Sequence, residues 1–169
     1  MIKMIVACDN NNAIGYKGEL LCHNKEDMQY FKKMTSDSTV VMGRTTFDSL
    51  PFKNGLPNRE NLVLTSRIPE LSKMGYVGYG NYFECNLAWL STMLSMDGLS
   101  FKSDTWLIGG SSIYNQFKHL AQEVHVTRID ESFENADTYV DLDFLSEYSI
   151  TSVTRLNDYS VVEVWNLDK

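Results

Sequence analysis

Short apolar runs with the composition of strands alternate along this chain with amphipathic stretches, and this alternation constrains the fold more than any other feature. Buried strands are predicted at residues 2–8, 39–42, 62–65 and 105–108, with a weaker strand at 76–79. Helices are predicted between them at residues 25–35, 43–50, 87–96 and 111–120, with Asn86 as the cap of the third helix. Because parallel strands are joined by helical crossovers, this order indicates a mostly parallel sheet with helices on both faces.

The final third of the chain breaks this alternation. Residues 123–129, 150–155 and 160–167 have strand composition with no long helix between them, and turn-type residues at 156–159 join the last two. The sheet should therefore end in an antiparallel hairpin. We expect an α/β fold with a central sheet of about eight strands and flanking helices. We also expect one domain over residues 1–169, since 169 residues is a usual size for one compact domain.

The charge distribution limits the partners of the chain. It has 15 basic and 22 acidic residues, which give a formal net charge of −7. Residues 123–169 hold 11 of those acids and 3 of the bases. An acidic chain has no field that gathers nucleic acid or an anionic membrane, so we expect neither as a partner. An anionic small molecule must instead be bound by a few local arginines.

The three cysteines indicate a reducing environment. Cys8, Cys22 and Cys85 are widely spaced and odd in number, so the sequence predicts no disulfide framework and no metal site. The apolar start of the chain is too short for a signal peptide, and no run approaches the ~18 apolar residues of a membrane span. We therefore expect a cytoplasmic protein.

Three predicted strand ends carry residues that suit a ligand with several phosphates. The first is Gly109-Gly110-Ser111-Ser112, where glycines let backbone amides approach a ligand closely. A tight turn without a ligand would explain the glycines equally well. The second is Gly43-Arg44-Thr45-Thr46 and the third is Thr65-Ser66-Arg67. Since parallel strands end at one edge of a sheet, the three should lie together.

Asp27 allows two interpretations. It follows Asn24 by three residues at the start of a predicted helix, so it could complete a capping arrangement and favour the helix dipole. Alternatively, it is a carboxylic acid among Ile5, Met28 and Phe31, where burial would raise its pKa and suit it to proton handling near neutrality. Residue types alone favour the capping role, because Asp is common in a first helical turn.

Taken in order, these residues resemble the dihydrofolate reductase family from Met1 to the final hairpin. The motifs that carry the resemblance are Ala13-Ile14-Gly15, Asp27 with Phe31, Val41-Met42-Gly43-Arg44 with Thr46, Leu56-Pro57-Asn58-Arg59, Asn61-Leu62, Ile108-Gly109-Gly110 with Tyr114, Thr127-Arg128-Ile129-Asp130 and Ala136-Asp137-Thr138. Their matching order and spacing are far more specific than any single motif. They favour the functional interpretation of Asp27 and of the double glycine.

The resemblance implies an oxidoreductase of one-carbon metabolism. It would reduce 7,8-dihydrofolate to 5,6,7,8-tetrahydrofolate with hydride from NADPH. Asp27 and Thr127 would be the catalytic residues, holding the pterin amino group and N3 while a water molecule delivers the proton to N5. The substrate site would consist of Ile5, Phe31 and Ile108 around the pterin, Met28, Leu50 and Leu56 along the benzoyl group, and Arg59 at the glutamate carboxylate.

The same resemblance implies where NADPH would bind. Ala7, Ile14 and Gly15 would lie near the nicotinamide and its ribose. The phosphate-binding residues would be Gly43, Arg44, Thr45, Thr46, Gly109, Gly110, Ser111 and Ser112, with Thr65 and Tyr114 in the same site. Ser66 and Arg67 would join Arg44 around the adenosine 2′-phosphate, which favours NADPH over NADH. The Gly109–Gly110 peptide bond is expected to be cis.

The segment 9–24 corresponds to the mobile lid of the family, with Gly15 and Gly18 as possible hinges. The sequence departs from the family pattern here. Leu21 stands where the family usually has Pro, and Cys22 stands where it usually has a Trp that packs over the substrate. A non-catalytic folate- or NADPH-binding protein on the same scaffold is therefore an alternative.

A third hypothesis is a related reductase that acts on a ribosylated pyrimidine in riboflavin synthesis. Asp27, Phe31 and Arg59 argue against it, because they fit a pterin with a glutamate tail. We expect a monomer, as is usual in the dihydrofolate reductase family.

Overall fold

The computed structural model of the chain describes residues 1–67, 73–96 and 104–169. The strands are β1 (Ile2–Cys8), β2 (Ala13–Tyr16), β3 (Glu19–Leu20), β4 (Thr39–Gly43), β5 (Glu60–Leu64), β6 (Tyr76–Gly78), β7 (Tyr82–Cys85), β8 (Thr105–Gly109), β9 (Glu123–Ile129), β10 (Thr138–Tyr139), β11 (Tyr148–Asn157) and β12 (Ser160–Leu167). The α-helices are α1 (Lys25–Thr35), α2 (Arg44–Ser49), α3 (Leu87–Ser95) and α4 (Ser111–Phe117).

A nine-stranded sheet in the order β11-β12-β9-β1-β8-β4-β5-β7-β6 forms the centre of the described fold. The strands from β9 to β7 pair in parallel with their neighbours. The hairpin β11–β12 adds to β9 in the antiparallel direction, and β6 is antiparallel to β7 at the other edge. The predicted α/β class, the mostly parallel sheet and the C-terminal hairpin are thus confirmed.

Packing on both faces of the sheet explains why its central strands are apolar throughout. Val40, Val41 and Met42 in β4 are fully buried, although successive strand residues point to opposite faces. Val40 and Met42 belong to one core cluster, together with Trp106, while Val41 belongs to the other, together with Leu107. A strand with two covered faces needs apolar residues at every position.

Two helix starts follow the capping chemistry of their sequence. Asn24 Oδ1 accepts a hydrogen bond from the backbone N–H of Asp27 at 3.1 Å, and Asn86 Oδ1 accepts one from Trp89 at 2.8 Å. These contacts satisfy amide groups that have no partner within the helix. The predicted cap at Asn86 is confirmed, and α1 has the predicted bounds.

The structure departs from the predicted elements in three places. β7 was not predicted, and it makes the sheet one strand wider than expected. β2, β3 and β10 were not predicted either, and they form a small second sheet in the order β10-β2-β3. The helix predicted at 111–120 ends at Phe117 and continues as a 3₁₀ turn at Lys118–Leu120.

No helix among residues 1–67, 73–96 and 104–169 has the length and apolar character needed to cross a membrane. The parallel strands β1, β4, β5 and β8 all end at the same edge of the sheet, where a ligand crevice is expected in α/β folds. The residues that follow these ends are those predicted to bind a ligand.

Candidate active site

A large cleft opens at this edge of the sheet. Its volume is about 2130 Å³, whereas a pocket for one drug-sized ligand has roughly 300–1,000 Å³. Residues from β1, β4 and β8 line its floor, residues from α1 and α2 line its walls, and lid residues such as Gly15 and Leu20 border it. The cleft is therefore large enough to hold a substrate and a cofactor side by side.

Asp27 projects from the first turn of α1 into this cleft, and Thr127 lies directly behind it on β9. Thr127 Oγ1 donates a hydrogen bond to Asp27 Oδ1 at 2.6 Å. Asp27 is partly buried and Thr127 is fully buried. Burial raises the pKa of Asp27, while the hydrogen bond from Thr127 opposes that shift.

Only the backbone of Asp27 takes part in capping the helix. Its N–H donates to Asn24, and Asn24 is itself held by Asn157 and Ser160 of the C-terminal hairpin. The carboxylate turns to Thr127 instead of closing a capping box. The side chain is consequently available to a ligand in the cleft.

The residues predicted to bind substrate are brought together along the cleft. Ile5 and Leu56 are buried, Phe31, Leu50 and Ile108 are partly buried, and Met28 is 51% exposed. All six line the cleft with Asp27. They form an apolar wall that leads from the carboxylate of Asp27 towards Arg59.

Arg59 has a nearly buried side chain, with 7% relative exposure. Its Nη1 donates to Thr35 Oγ1 at 3.0 Å and its Nε donates to the carbonyl of Pro57 at 2.8 Å. Desolvation lowers the pKa of Arg59, which nevertheless remains a cation at neutral pH. Within the described residues it forms no ion pair with a carboxylate. A buried cation in this state favours an anionic ligand group.

The three predicted phosphate-binding segments meet in the cleft, as expected for ends of parallel strands. A Cβ atom on Gly43 would lie 4.0 Å from the backbone nitrogen of Gly110, and one on Gly110 would lie 3.6 Å from Thr46 Oγ1. The Gly109–Gly110 peptide bond is cis, as expected. The lining includes all the predicted cofactor residues, namely Ala7, Ile14, Gly15, Gly43, Arg44, Thr45, Thr46, Thr65, Ser66, Arg67, Gly109, Gly110, Ser111, Ser112 and Tyr114.

Several of these residues already have partners in the protein, and Ser112 Oγ, for example, accepts from Gln116 Nε2 at 2.8 Å. The buried hydroxyl of Tyr114 donates to the carbonyl of Ile5 at 2.8 Å, which ties α4 to β1. Thr65 Oγ1 accepts from the backbone N–H of Arg67 at 3.1 Å. Their side-chain oxygens support the shape of the site, so the more exposed hydroxyls of Thr45 and Ser112 are better placed to meet a ligand.

The partners of Arg44 were not predicted from the sequence. Its Nε donates to Asp48 Oδ1 at 3.1 Å, and its Nη1 forms an ion pair with Glu84 Oε1. Asp48 could have been found from its i, i+4 spacing on a helix. Glu84 lies on the unpredicted strand β7, so no signal in the sequence indicated this contact.

The lid is held to the rest of the protein by two acids. Asp9 accepts hydrogen bonds from the backbone N–H groups of Asn11, Ala13 and Phe133 at 2.8–2.9 Å. Although burial acts in the opposite direction, these bonds hold the pKa of Asp9 below its usual value. Asp137 Oδ2 accepts from the N–H of Lys17 at 2.9 Å. The segment that borders the cleft is therefore tied to the rest of the protein at Asp9 and at Lys17.

The departures from the family pattern lie at the edge of the site. Leu21 and Cys22 are not among the described residues that line the cleft, whereas their neighbours Leu20 and His23 are. Cys22 is partly buried, and its burial raises the pKa of its thiol. A cysteine at this position thus does not take over the contact that a larger aromatic side chain would make with a ligand.

Comparisons with known proteins agree on one family. A sequence model of the family described as "Dihydrofolate reductase" matches residues 1–160. The dihydrofolate reductase of Bacillus subtilis is 33% identical over 143 residues, which cover 85% of this chain and 77% of that protein. The dihydrofolate reductase type 9 of Escherichia coli is 27% identical over 168 residues, covering 97% and 92%.

A solved structure shares both the fold and the extent of the chain. The dihydrofolate reductase of Enterococcus faecalis, complexed with NADP(H) and RAB-propyl, superposes with a TM-score of 0.83 at 25% identity. The match covers 100% of this chain and 97% of that one. These similarities favour the reductase over both other hypotheses. The chain belongs to the dihydrofolate reductase family, and it is an NADPH-dependent reductase of dihydrofolate.

Proposed function

We propose that Asp27 and Thr127 orient dihydrofolate and promote its protonation during reduction to tetrahydrofolate. The observation that carries this proposal is the 2.6 Å hydrogen bond from Thr127 Oγ1 to Asp27 Oδ1. Each carboxylate oxygen has two lone pairs, so Oδ1 can accept from Thr127 and from substrate together. The amino group and N3 of a pterin present adjacent N–H donors that match both oxygens of one carboxylate.

The partial burial of Asp27 supports its role in the proton step. Desolvation makes the charged carboxylate less stable than in water, and therefore raises its pKa towards neutrality. A negative charge held against the pterin favours protonation of the ring. In this proposal a water molecule delivers the proton to N5, while Asp27 fixes the ring and stabilises the charge that develops on it.

The apolar wall of the cleft supports the proposed path of the substrate. Ile5, Phe31 and Ile108 would enclose the pterin beside Asp27. Met28, Leu50 and Leu56 would pack on the benzoyl group. An apolar ring is well matched to this wall, because each buried ring removes a large apolar area from water.

Arg59 would bind the glutamate carboxylate at the far end of this path. Its Nε and Nη1 are fixed by Pro57 and Thr35, so its guanidinium is oriented before a ligand arrives. A charged pair with a carboxylate would supply the counter-ion that the described residues do not provide.

The residues around the glycine segments fit NADPH. Gly43 and Gly110 place no side chains at the ends of β4 and β8, and Thr45 and Ser112 line the cleft beside them. We propose that these groups hold the pyrophosphate, that Arg44, Ser66 and Arg67 hold the 2′-phosphate, and that Ala7, Ile14 and Gly15 hold the nicotinamide. When bound, NADPH supplies the hydride that reduces C6 of the substrate.

Positioning accounts for the remaining catalytic role of the chain. The lid covers the edge of the cleft with Gly15, Gly18 and Leu20. Its proposed function is to limit access of water while the reacting carbons are close, because hydride transfer depends on a dry and fixed geometry.

The experiment that tests this proposal is turnover of NADPH with dihydrofolate, followed at the absorbance band of reduced nicotinamide. The Asp27→Asn variant should lose most of the activity, because an amide cannot carry the negative charge of the carboxylate. Glu26→Gln is the matched control, since Glu26 neighbours Asp27 on α1 but is exposed. Equal loss in both variants would contradict a specific role for Asp27.

We further propose that residues 1–169 act as one domain in a cytoplasmic monomer that does not bind nucleic acid. β12 pairs with β9 from Ser160 to Asn166, and β9 carries Thr127. This pairing supports a contribution of the final strand to the same domain. The net charge of −7 opposes association with nucleic acid. Light scattering on the purified protein tests the monomer, and a dimer mass would contradict it.

A further inference from the structure

Arg44 is paired with two carboxylates, one on each side. Asp48 Oδ1 accepts from its Nε at 3.1 Å, and Glu84 Oε1 pairs with its Nη1. Asp48 lies one turn along α2, whereas Glu84 comes from β7 at the neighbouring part of the sheet. Nη2 is the guanidinium nitrogen that forms no hydrogen bond or ion pair with the described residues.

The two carboxylates differ in their exposure to solvent. The side chain of Glu84 is 12% exposed and that of Asp48 is 58% exposed. Water and salt screen an exposed charge much more than a buried one. Glu84 should therefore have the stronger effect on any charged group that approaches Arg44.

The charges around Arg44 do not favour a phosphate. Arg44 contributes one positive charge, and Asp48 and Glu84 contribute one negative charge each. Arg67 restores neutrality, but its side chain is exposed. A phosphate monoester carries about −1.5 to −2 charges near neutral pH, so it meets a neutral cluster in place of a positive one.

Glu84 is not needed to hold Arg44 in place. Asp48 already binds its Nε, and the guanidinium lies over the ring of Phe47 at 5.5 Å from the centroid. These contacts within α2 orient the guanidinium without Glu84. The main effect of Glu84 on a bound ligand is therefore its charge.

We propose that Glu84 is a specificity-determining residue that reduces the preference of this reductase for NADPH over NADH. The proposal rests on the assignment of Arg44 to the 2′-phosphate. The carboxylate of Glu84 neutralises Arg44 and repels that phosphate, which NADH lacks. With Glu84 present, the preference for NADPH over NADH is therefore weaker than Arg44, Ser66 and Arg67 alone would produce.

The test compares kcat/KM for NADPH with kcat/KM for NADH in Glu84→Gln. Glutamine keeps the size of the side chain and an oxygen that can accept from Arg44, and it removes only the charge. The ratio should rise by roughly tenfold, given the size of charge interactions near a protein surface. The higher ratio should come from a lower KM for NADPH, and it should be smaller at high salt.

Glu163→Gln is the matched control. Glu163 is 19% exposed, and its Oε1 accepts from Arg128 Nε at 3.0 Å, so it is a comparable ion pair. Glu163 and Arg128 are not among the described residues that line the cleft. This variant changes the net charge by the same amount, and its cofactor ratio should match that of the wild type.

Arg44→Ala separates failure of this inference from failure of the proposed site. A lower ratio in Arg44→Ala with an unchanged ratio in Glu84→Gln would overturn the role of Glu84 and keep Arg44 at the phosphate. An unchanged ratio in Arg44→Ala would overturn both. A lower ratio in Glu84→Gln would show that Glu84 positions Arg44 and would also overturn the inference.

Discussion

Thr127 Oγ1 donates a hydrogen bond to Asp27 Oδ1, and this 2.6 Å contact joins residues that are 100 positions apart in the chain. It connects β9 to the first turn of α1, where Asp27 borders the cleft. One bond thus couples the central sheet to the group proposed to hold the pterin. Several measurable properties depend on it.

Replacement of Thr127 tests the hydrogen bond directly. Thr127→Val keeps the shape of the side chain but removes the donor. Since hydrogen bonds to charged groups contribute about 1.5–3 kcal/mol, kcat/KM for dihydrofolate should fall roughly tenfold to a hundredfold. The kinetic pKa that reports Asp27 should rise, because the bond lowers that pKa. Thr127→Ser keeps the hydroxyl and should restore both values; a pH profile shared by all three proteins would contradict the account.

Asp27 should reduce the stability of the folded protein near neutral pH. Burial raises the folded-state pKa of Asp27 above the ordinary value of an aspartate, so the folded state binds its proton more tightly than the unfolded state does. This contribution to stability is present below that value and is lost as the pH rises through the folded pKa. Asp27→Asn removes the charged form, and its amide oxygen can still accept from Thr127.

The free energy of unfolding therefore should be higher for Asp27→Asn than for the wild type near neutral pH. The difference should decrease as the solution is acidified towards the ordinary pKa of Asp. Urea denaturation at a series of pH values measures it. If the variant has a lower free energy of unfolding than the wild type at neutral pH, the buried carboxylate does not destabilise the folded state.

Arg59 should determine affinity for the charged tail of the substrate. Arg59→Lys keeps a cation but loses the planar fork that Thr35 and Pro57 orient. The KM for dihydrofolate should rise by about tenfold or more, while the KM for a pterin without the glutamate group should change little. Binding of NADPH serves as the folding control. Equal effects on both substrates would remove Arg59 from the tail site.

Cys22 should be the first thiol to react in the native protein. Cys8 and Cys85 are buried, and burial raises the pKa of Cys85 to about 12. The pKa of Cys22 is also raised by its burial and by nearby Glu131 and Asp27, so labelling should be slow and should accelerate as the pH rises. Mass spectrometry after a short exposure to a thiol reagent checks this. Labelling that survives in Cys22→Ser would contradict the assignment.

The sequence predicted the elements whose signal is local. Val40, Val41 and Met42 form an unbroken apolar run, and such a run indicates a strand covered on both faces. Asn86 precedes an apolar helix as a cap should. These features depend only on neighbouring residues, so periodicity and composition were sufficient to place them.

The elements that the sequence did not predict depend on distant partners. β7 is four residues long and three of them are partly exposed, so no periodicity identifies it. It becomes a strand because Glu84 pairs in register with Val63 of β5. The two-residue strands β3 and β10 are likewise specified by their pairing with β2.

The residues of the candidate site also divide into those that local signals predicted and those that depend on distant partners. The strand-end rule placed Gly43, Ser66 and Gly110 at one edge without any structure. The partnership of Asp27 with Thr127 came from the family resemblance, since nothing in the residues around position 27 points to position 127. The neutralisation of Arg44 by Glu84 required the structure, because it depends on an unpredicted strand.

The most direct test of the role of Asp27 is the rate of hydride transfer in a single turnover of Asp27→Asn, measured from neutral to acid pH. Near neutral pH this rate should be lower than that of the wild type by a factor on the order of a hundred or more. The deficit should decrease on acidification, because the substrate then arrives already protonated. Equal rates in the two proteins at every pH would contradict the claim that Asp27 orients the pterin and promotes its protonation.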